Sequence, residues 1–203
     1  MKRLIPVLMT MFTSLSLNAV ESQQALNQLR QGNNRFVNAH PTSIFEGSTQ
    51  GQSPFAVVLS CADSRVPPEI VFDQGIGSLF IVRVAGNVAA PALMDSIIFG
   101  VDALKASLIV VLGHQNCGAV NAVVTKSQAQ FDLGSIFPLI EPSVEKSRGW
   151  QGNPLENAIK ANVMEQVQFI SMNSTINRLI QNGKVRIVGA YYHLENGEVE
   201  FLE

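Results

Sequence analysis

Excess positive charge, abundant cysteine and long apolar runs are what this chain of 203 residues lacks. Its 14 lysines and arginines are outnumbered by 16 aspartates and glutamates, for a formal net charge of −2. That balance is a poor electrostatic match to a phosphate backbone, so nucleic acid is not an expected partner. No internal repeat and no low-complexity tract is present, which argues against a repeat architecture. After the N-terminal stretch, no segment reads as a membrane span. With only two cysteines, at most one disulfide can form within the chain. The length suits one domain with a sizeable core, or a domain plus a tail. A hydrophobic share of 46% is ordinary for a folded α/β protein.

The N-terminus stands apart. MKRLIPVLMTMFTSLSLNA opens with Lys2 and Arg3, runs uncharged and mostly apolar from Leu4 to Leu17, and closes on Asn18-Ala19. A basic region, an apolar region and a small residue, in that order, are the layout of a secretory signal peptide. The run is short for a membrane span and holds Pro6 and several Ser/Thr. Residues 1–19 are therefore expected to be a cleaved signal peptide, residues 20–203 a single domain, and the location periplasmic or secreted. Leu17 is larger than the residue usual at that place, which leaves a cut a few residues later open.

Along the mature chain, strand and helix patterns alternate. ESQQALNQLRQGNNRFVNAH reads as an amphipathic helix stopped near Gly32, and 41–53 as loop. Short apolar runs at 55–60, 78–86, 107–114 and 185–192 read as buried parallel strands. Helical spacing falls at 93–105, after Cys117, and in one long helix over 162–183 ending at Gly183. Residues 128–160 are mixed, with a Gly/Pro/Trp loop around 148–154. Glu195-Asn196-Gly197 predicts a turn, with EVEFLE returning as an antiparallel strand. The expected fold is α/β: a mainly parallel sheet flanked by helices, with an N-terminal helical arm and a C-terminal antiparallel strand.

Reactive side chains fall where two of these strands end. CADSR follows the run PFAVVLS, and HQNC follows SLIVVLG. Extended backbone past Ser60 would point Cys61 and Asp63 to one side. His114 and Cys117, read as an i, i+3 pair at the first turn of a helix, would share a face. Parallel sheets bind ligands outside the carboxyl ends of their strands, at a topological switch point. Two strands ending side by side would gather Cys61, Asp63, His114 and Cys117. Two thiolates and an imidazole suit Zn²⁺ and leave a fourth tetrahedral position, for Asp63 or for water. A guanidinium at Arg65 would hold the Asp63 carboxylate ionised and away from the metal. Zinc-bound hydroxide beside that pair suits attack on a small electrophilic carbon.

Blander readings compete. Two cysteines in an exported protein are commonly a disulfide, and a purely structural zinc results if Asp63 never leaves the metal. The Asp-Ser-Arg and His-x-x-Cys-Gly neighbours favour the open metal site. His40 and His193 lack such company and read as surface or turn residues. Met164, Met172 and the apolar face of 163–180 read as core.

CADSRVPPE, DQGIGSLFIVRVAGNV and VLGHQNCGAV together strongly resemble the β-class carbonic anhydrases, and the resemblance spans nearly all the mature chain. It implies reversible hydration of CO₂ to bicarbonate and a proton, a lyase reaction, with one Zn²⁺ per chain on Cys61, His114 and Cys117. Asp63 and Arg65 match the family's catalytic dyad. In a closed form Asp63 would be a fourth metal ligand; in an open form its pairing with Arg65 frees that position for water. Gln52 and the Gly118 N–H match substrate contacts. Phe80 and Ala85 match positions lining the apolar CO₂ pocket, where the second is commonly valine. Phe99 matches a position often held by tyrosine and lacks its hydroxyl. From the local pattern alone, Phe80 and Phe99 would be core and Gln52 a loop residue. The resemblance also implies a homodimer or a higher even-numbered assembly, with sites at the interface. The remaining alternatives are a carbonyl sulfide or carbon disulfide hydrolase on the same scaffold, and a non-catalytic zinc- or disulfide-stabilised exported binding protein.

Overall fold

The computed structural model describes residues 20–46, 48–127 and 133–202. The proposed signal peptide therefore lies outside the described residues. The chain divides into two compact units, Met1–Glu46 and Gly47–Glu203.

In the first unit, α1 spans Ser22–Ala39 and is followed by a 3₁₀ turn at Thr42–Phe45. The expected stop at Gly32 is overturned, since α1 runs straight through it. One glycine inside a helix costs about 1 kcal/mol relative to alanine, too little to end it. The helix stops where Pro41 follows: His40 is extended, with φ −113° and ψ 130°.

The second unit is built on a five-stranded sheet in the order β2-β1-β3-β4-β5. The strands are β1 (Ala56–Ser60), β2 (Leu79–Arg83), β3 (Leu108–His114), β4 (Arg186–Tyr192) and β5 (Val199–Leu202). β1 pairs in parallel with both β2 and β3, β3 with β4 likewise, and β5 alone is antiparallel. This is the expected α/β fold. Burial explains the continuous apolar runs: all five residues of β1 and all but the first of β3 are buried. Val57 and Leu59 pack on one face with Ile109 and Val111, while Val58 packs on the other with Val110 and Leu112. Each fully buried Val, Leu or Ile contributes about 1.5–3 kcal/mol.

The helices that follow are α2 (Pro68–Val71), α3 (Pro91–Ile98), α4 (Gly118–Val124), α5 (Phe137–Ser147), α6 (Pro154–Ser171) and α7 (Ser174–Gln181). Two helical expectations are corrected. The segment 93–105 ends its α-helix at Ile98 and winds Phe99–Ala103 as a π-helix. The single helix over 162–183 is two, because Asn173 leaves the helical region and its side chain accepts from the backbone N–H of Thr175 and Ile176. Asparagine caps a new helix better than it continues an old one. At that break Met172 is 64% exposed, and Met164 is 37% exposed, so neither is core. Met164 lies over Gly189 of β4, and Met172 caps the end of α6.

α6 lies unusually close to the sheet at Gly113. A Cβ there would stand 2.6 Å from Val163 Cγ2. Only the missing side chain lets the helix down onto β3, next to the residue that ends in the site.

Candidate metal centre

Strand order puts the switch point between β1 and β3: the chain leaves β1 for β2 on one side, while β3, β4 and β5 lie on the other. Their parallel register pairs Ser60 with Leu112. Cys61 therefore leaves β1 beside the last residues of β3, where His114 stands. Cys61, His114 and Cys117 are all buried, and their ligand atoms lie within 4.8 Å of one another. Zn–S and Zn–N bonds of about 2.3 and 2.0 Å would span such a set with small adjustments.

Cys117 arrives by a different route from the one its spacing suggests. His114 is the end of β3, not a helical residue, and Cys117 is the N-cap of α4. A tight turn brings them together, with Asn116 in the left-handed region at φ 55°. Asparagine tolerates that conformation better than most residues.

His114 is oriented from outside. Its Nδ1 sits 2.9 Å from the Gln115 carbonyl oxygen, so Nδ1–H donates there and, in the neutral ring, Nε2 is the acceptor. Nε2 is buried and has no hydrogen-bond partner in the protein. A buried acceptor without a partner is costly, and a metal ion is the partner this one fits. The two sulfurs lie 4.0 Å apart, and both thiols are free. That is about twice an S–S bond length, so the disulfide reading does not describe this chain. In the bare pair, the hydrogen bond from Cys117 pulls the Cys61 thiol well down, helped by His114 and the Gly86 N–H and opposed by burial. Cys117, sharing its proton and buried, is pushed up, against the pull of the Val120 and Ala119 N–H groups.

Asp63 stands beside the same cluster. Its Oδ2 is 3.8 Å from His114 Nε2. Arg65 grips both carboxylate oxygens, Nε donating to Oδ1 at 2.9 Å and a terminal nitrogen to Oδ2 at 2.7 Å. The Arg65 backbone N–H adds a third bond to Oδ1 at 3.0 Å. The guanidinium holds this carboxyl well below the usual carboxylate range, against a smaller opposing effect of burial.

Three supports were not visible in the sequence. Arg83 on β2 donates to the carbonyls of Cys61 and Asp63, at 3.0 and 2.7 Å, and pins the turn that carries both. The Gly86 N–H reaches Cys61 Sγ at 3.4 Å. Gln115 extends its side-chain NH₂ to Glu195 at 3.3 Å.

The substrate positions separate into two groups. Ala85 opens the turn that carries Gly86, and Gly118 follows Cys117 at the start of α4. Gly118 is therefore next to Cys117 in the chain, and Ala85 is next to Gly86, whose N–H reaches Cys61 Sγ. Phe80 pairs with Val57, three positions before the Ser60–Arg83 pair and so roughly 10 Å back along the strand. Its ring lies 5.9 Å from that of Phe99, which is 48% exposed. Gln52 is exposed on the segment leading into the amino end of β1. Within one chain, then, Phe80 and Phe99 stand toward the opposite end of β1 from the cysteines.

Known proteins resemble this chain. Residues 56–199 match the family model described as carbonic anhydrase. A carbonic anhydrase of Mycolicibacterium smegmatis is 40% identical over 187 residues, covering 87% of this chain and 91% of the relative. Carbonic anhydrase 2 of Mycobacterium tuberculosis is 39% identical over 184 residues, covering 85% and 89%. Among solved structures, the β-carbonic anhydrase CcaA superposes with a TM-score of 0.79 at 24% identity, over 88% of this chain and 95% of that one. The Coccomyxa β-carbonic anhydrase superposes with a TM-score of 0.74 at 23% identity, over 90% and 87%. These two share the fold. With buried Cys61, His114 and Cys117 at the β1/β3 switch point, and with relatives matched over most of their length, the chain belongs to the β-carbonic anhydrase family.

Proposed function

We propose that this protein catalyses the reversible hydration of carbon dioxide to bicarbonate and a proton, with one zinc ion on Cys61, His114 and Cys117. The observation that carries the reading is the bare, buried Nε2 of His114, facing two thiols and an ionised carboxylate. Zinc held there would lower the pKa of bound water toward neutrality and so supply a nucleophile. The chain's own groups do the rest. Arg65 keeps Asp63 ionised and occupied on both oxygens, which favours water over carboxylate at the fourth position. Asp63 Oδ2, 3.8 Å from His114 Nε2, is the hydrogen-bond acceptor that orients the nucleophile. The Gly118 N–H is the donor to substrate, and Ala85 with apolar neighbours excludes water.

The assembly we propose is a homodimer or a multiple of it. Phe80, Phe99 and Gln52 stand toward the amino end of β1 and would complete a second copy's pocket rather than their own. Large apolar side chains are exposed in the same unit, among them Phe55, Ile70 and Phe201. Two β-carbonic anhydrases of Sordaria macrospora that share this fold are tetrameric. The Lys-Arg and apolar layout of residues 1–19 supports export to the periplasm or medium. Among the described residues, no helix is long and apolar enough to cross a membrane.

Stopped-flow CO₂ hydration on the metal-loaded protein, from about pH 6.5 to 9, tests the reading, with zinc assayed on the same sample. Hydration at one zinc per chain is expected. Zinc without hydration at any pH would instead favour the sulfur-substrate hydrolase or a structural zinc.

A further inference from the structure

Gly86 is held from two sides. Its N–H faces Cys61 Sγ at 3.4 Å, and its carbonyl oxygen accepts from Asn162 Nδ2 of α6 at 2.9 Å. The backbone between those bonds is left-handed, with φ 74° and ψ 14°, and Asn87 follows at φ 46°. A Cβ on Gly86 would stand 2.7 Å from Ile140 Cδ1, so α5 closes on the same turn. One helical turn beyond Asn162, Gln166 Oε1 accepts from the Ala89 N–H at 2.9 Å. Two amides on one face of α6 thus fasten the two ends of the segment 86–89.

Packing does not ask for an amide at this place. Asn162 is fully buried, and its Oδ1 has no hydrogen-bond partner in the protein. Both polar side-chain atoms of Asn87 are in the same state. Leucine would fill the volume of Asn162 without a stranded acceptor. A residue kept at such a cost, beside two consecutive left-handed residues, points to a site whose geometry is being held.

We infer that Asn162, seconded by Gln166, is a positioning residue for the metal centre: it aims the Gly86 N–H at the sulfur of Cys61. Hydrogen bonds to a ligating thiolate spread its charge and fix its direction toward the metal. Asn162 touches neither metal nor substrate and acts only through Gly86. The inference rests on the zinc reading proposed above.

The test uses the full chain as parent, Asn162→Leu, Gln166→Met and a control, Ile170→Val, buried on α6 two turns further on. Zinc affinity is read by competition with a chromophoric chelator. The sulfur-to-metal charge-transfer band is read after loading with Co²⁺. Asn162→Leu is expected to bind one metal per chain with affinity reduced about 10- to 100-fold and a displaced band. Gln166→Met should move both in the same direction by less, and Ile170→Val should lower Tm without moving either. Parent-like affinity and band in Asn162→Leu would overturn the inference. So would an equal affinity loss in Ile170→Val at equal Tm. Should Asn162→Leu not fold, an unmoved band and affinity in Gln166→Met overturn it instead. A parent that binds neither metal defeats the zinc reading itself, and this inference with it.

Discussion

Arg65 holds Asp63 by both carboxylate oxygens, at 2.9 and 2.7 Å, two residues along the same turn. A fork on a planar carboxylate fixes direction as well as charge. Asp63→Ala removes the acceptor while sparing the Cys61, His114 and Cys117 set. It is expected to keep its zinc and to lose about 100-fold or more in kcat/KM for CO₂ hydration. Stopped-flow rates paired with zinc analysis check this, and a variant as fast as the parent would remove Asp63 from the chemistry.

The same pair sets an acid limit. The folded-state pKa of Asp63 lies below its ordinary value of 3.8 because Arg65 donates to it. A depressed carboxyl stabilises fully above the unfolded pKa and loses that contribution as pH falls through the folded one. Arg65→Gln should therefore be less stable than the parent by a margin that is constant above about pH 5 and narrows as pH falls below about 4. Urea midpoints of the metal-free proteins across that range measure it. A margin that widens toward low pH would contradict the sign.

His114→Ala and Cys117→Ser each remove a buried donor from the cluster. Either is expected to lower zinc affinity by more than about 100-fold, beyond the loss for an outer partner. Dialysis against a chelator, followed by metal analysis, is the measurement. The parent, stripped of metal and denatured, should titrate two free thiols per chain, since the sulfurs are 4.0 Å apart and unbonded.

Gly113→Ala tests the descent of α6 onto β3. Its Cβ would meet Val163 Cγ2 at 2.6 Å, a clash between two packed elements. Overpacking of this kind costs about 1–3 kcal/mol. Urea unfolding of the variant should show the loss as a lower midpoint with an unchanged slope.

How much of this was legible in the chain follows from how far each cause reaches. Cys61, Asp63, Arg65, His114 and Cys117 announce themselves because metal and acid–base chemistry need those residue types, and each group is local to one strand end. The strands are equally plain: β1 and β3 are buried almost throughout, so up to Ser60 and His114 at their ends they are apolar. The break at Asn173 was also written in the sequence, as Asn-Ser, but an unbroken apolar period over 163–180 masked it. The exposure of Met172 could not be read there, because a helix pattern does not say which neighbour covers it.

What only tertiary structure decided is the alignment of distant segments. Parallel pairing of β1 with β3 puts position 61 beside 114, and no local preference encodes that register. Arg83 reaches the carbonyls of 61 and 63 because β2 pairs beside β1, and Asn162 reaches Gly86 because a glycine in β3 lets α6 come close. The residue types that bind and react are fixed by chemistry and can be seen singly. The residues that aim them act through backbone atoms, which every residue possesses, so their roles emerge only when the chain has folded.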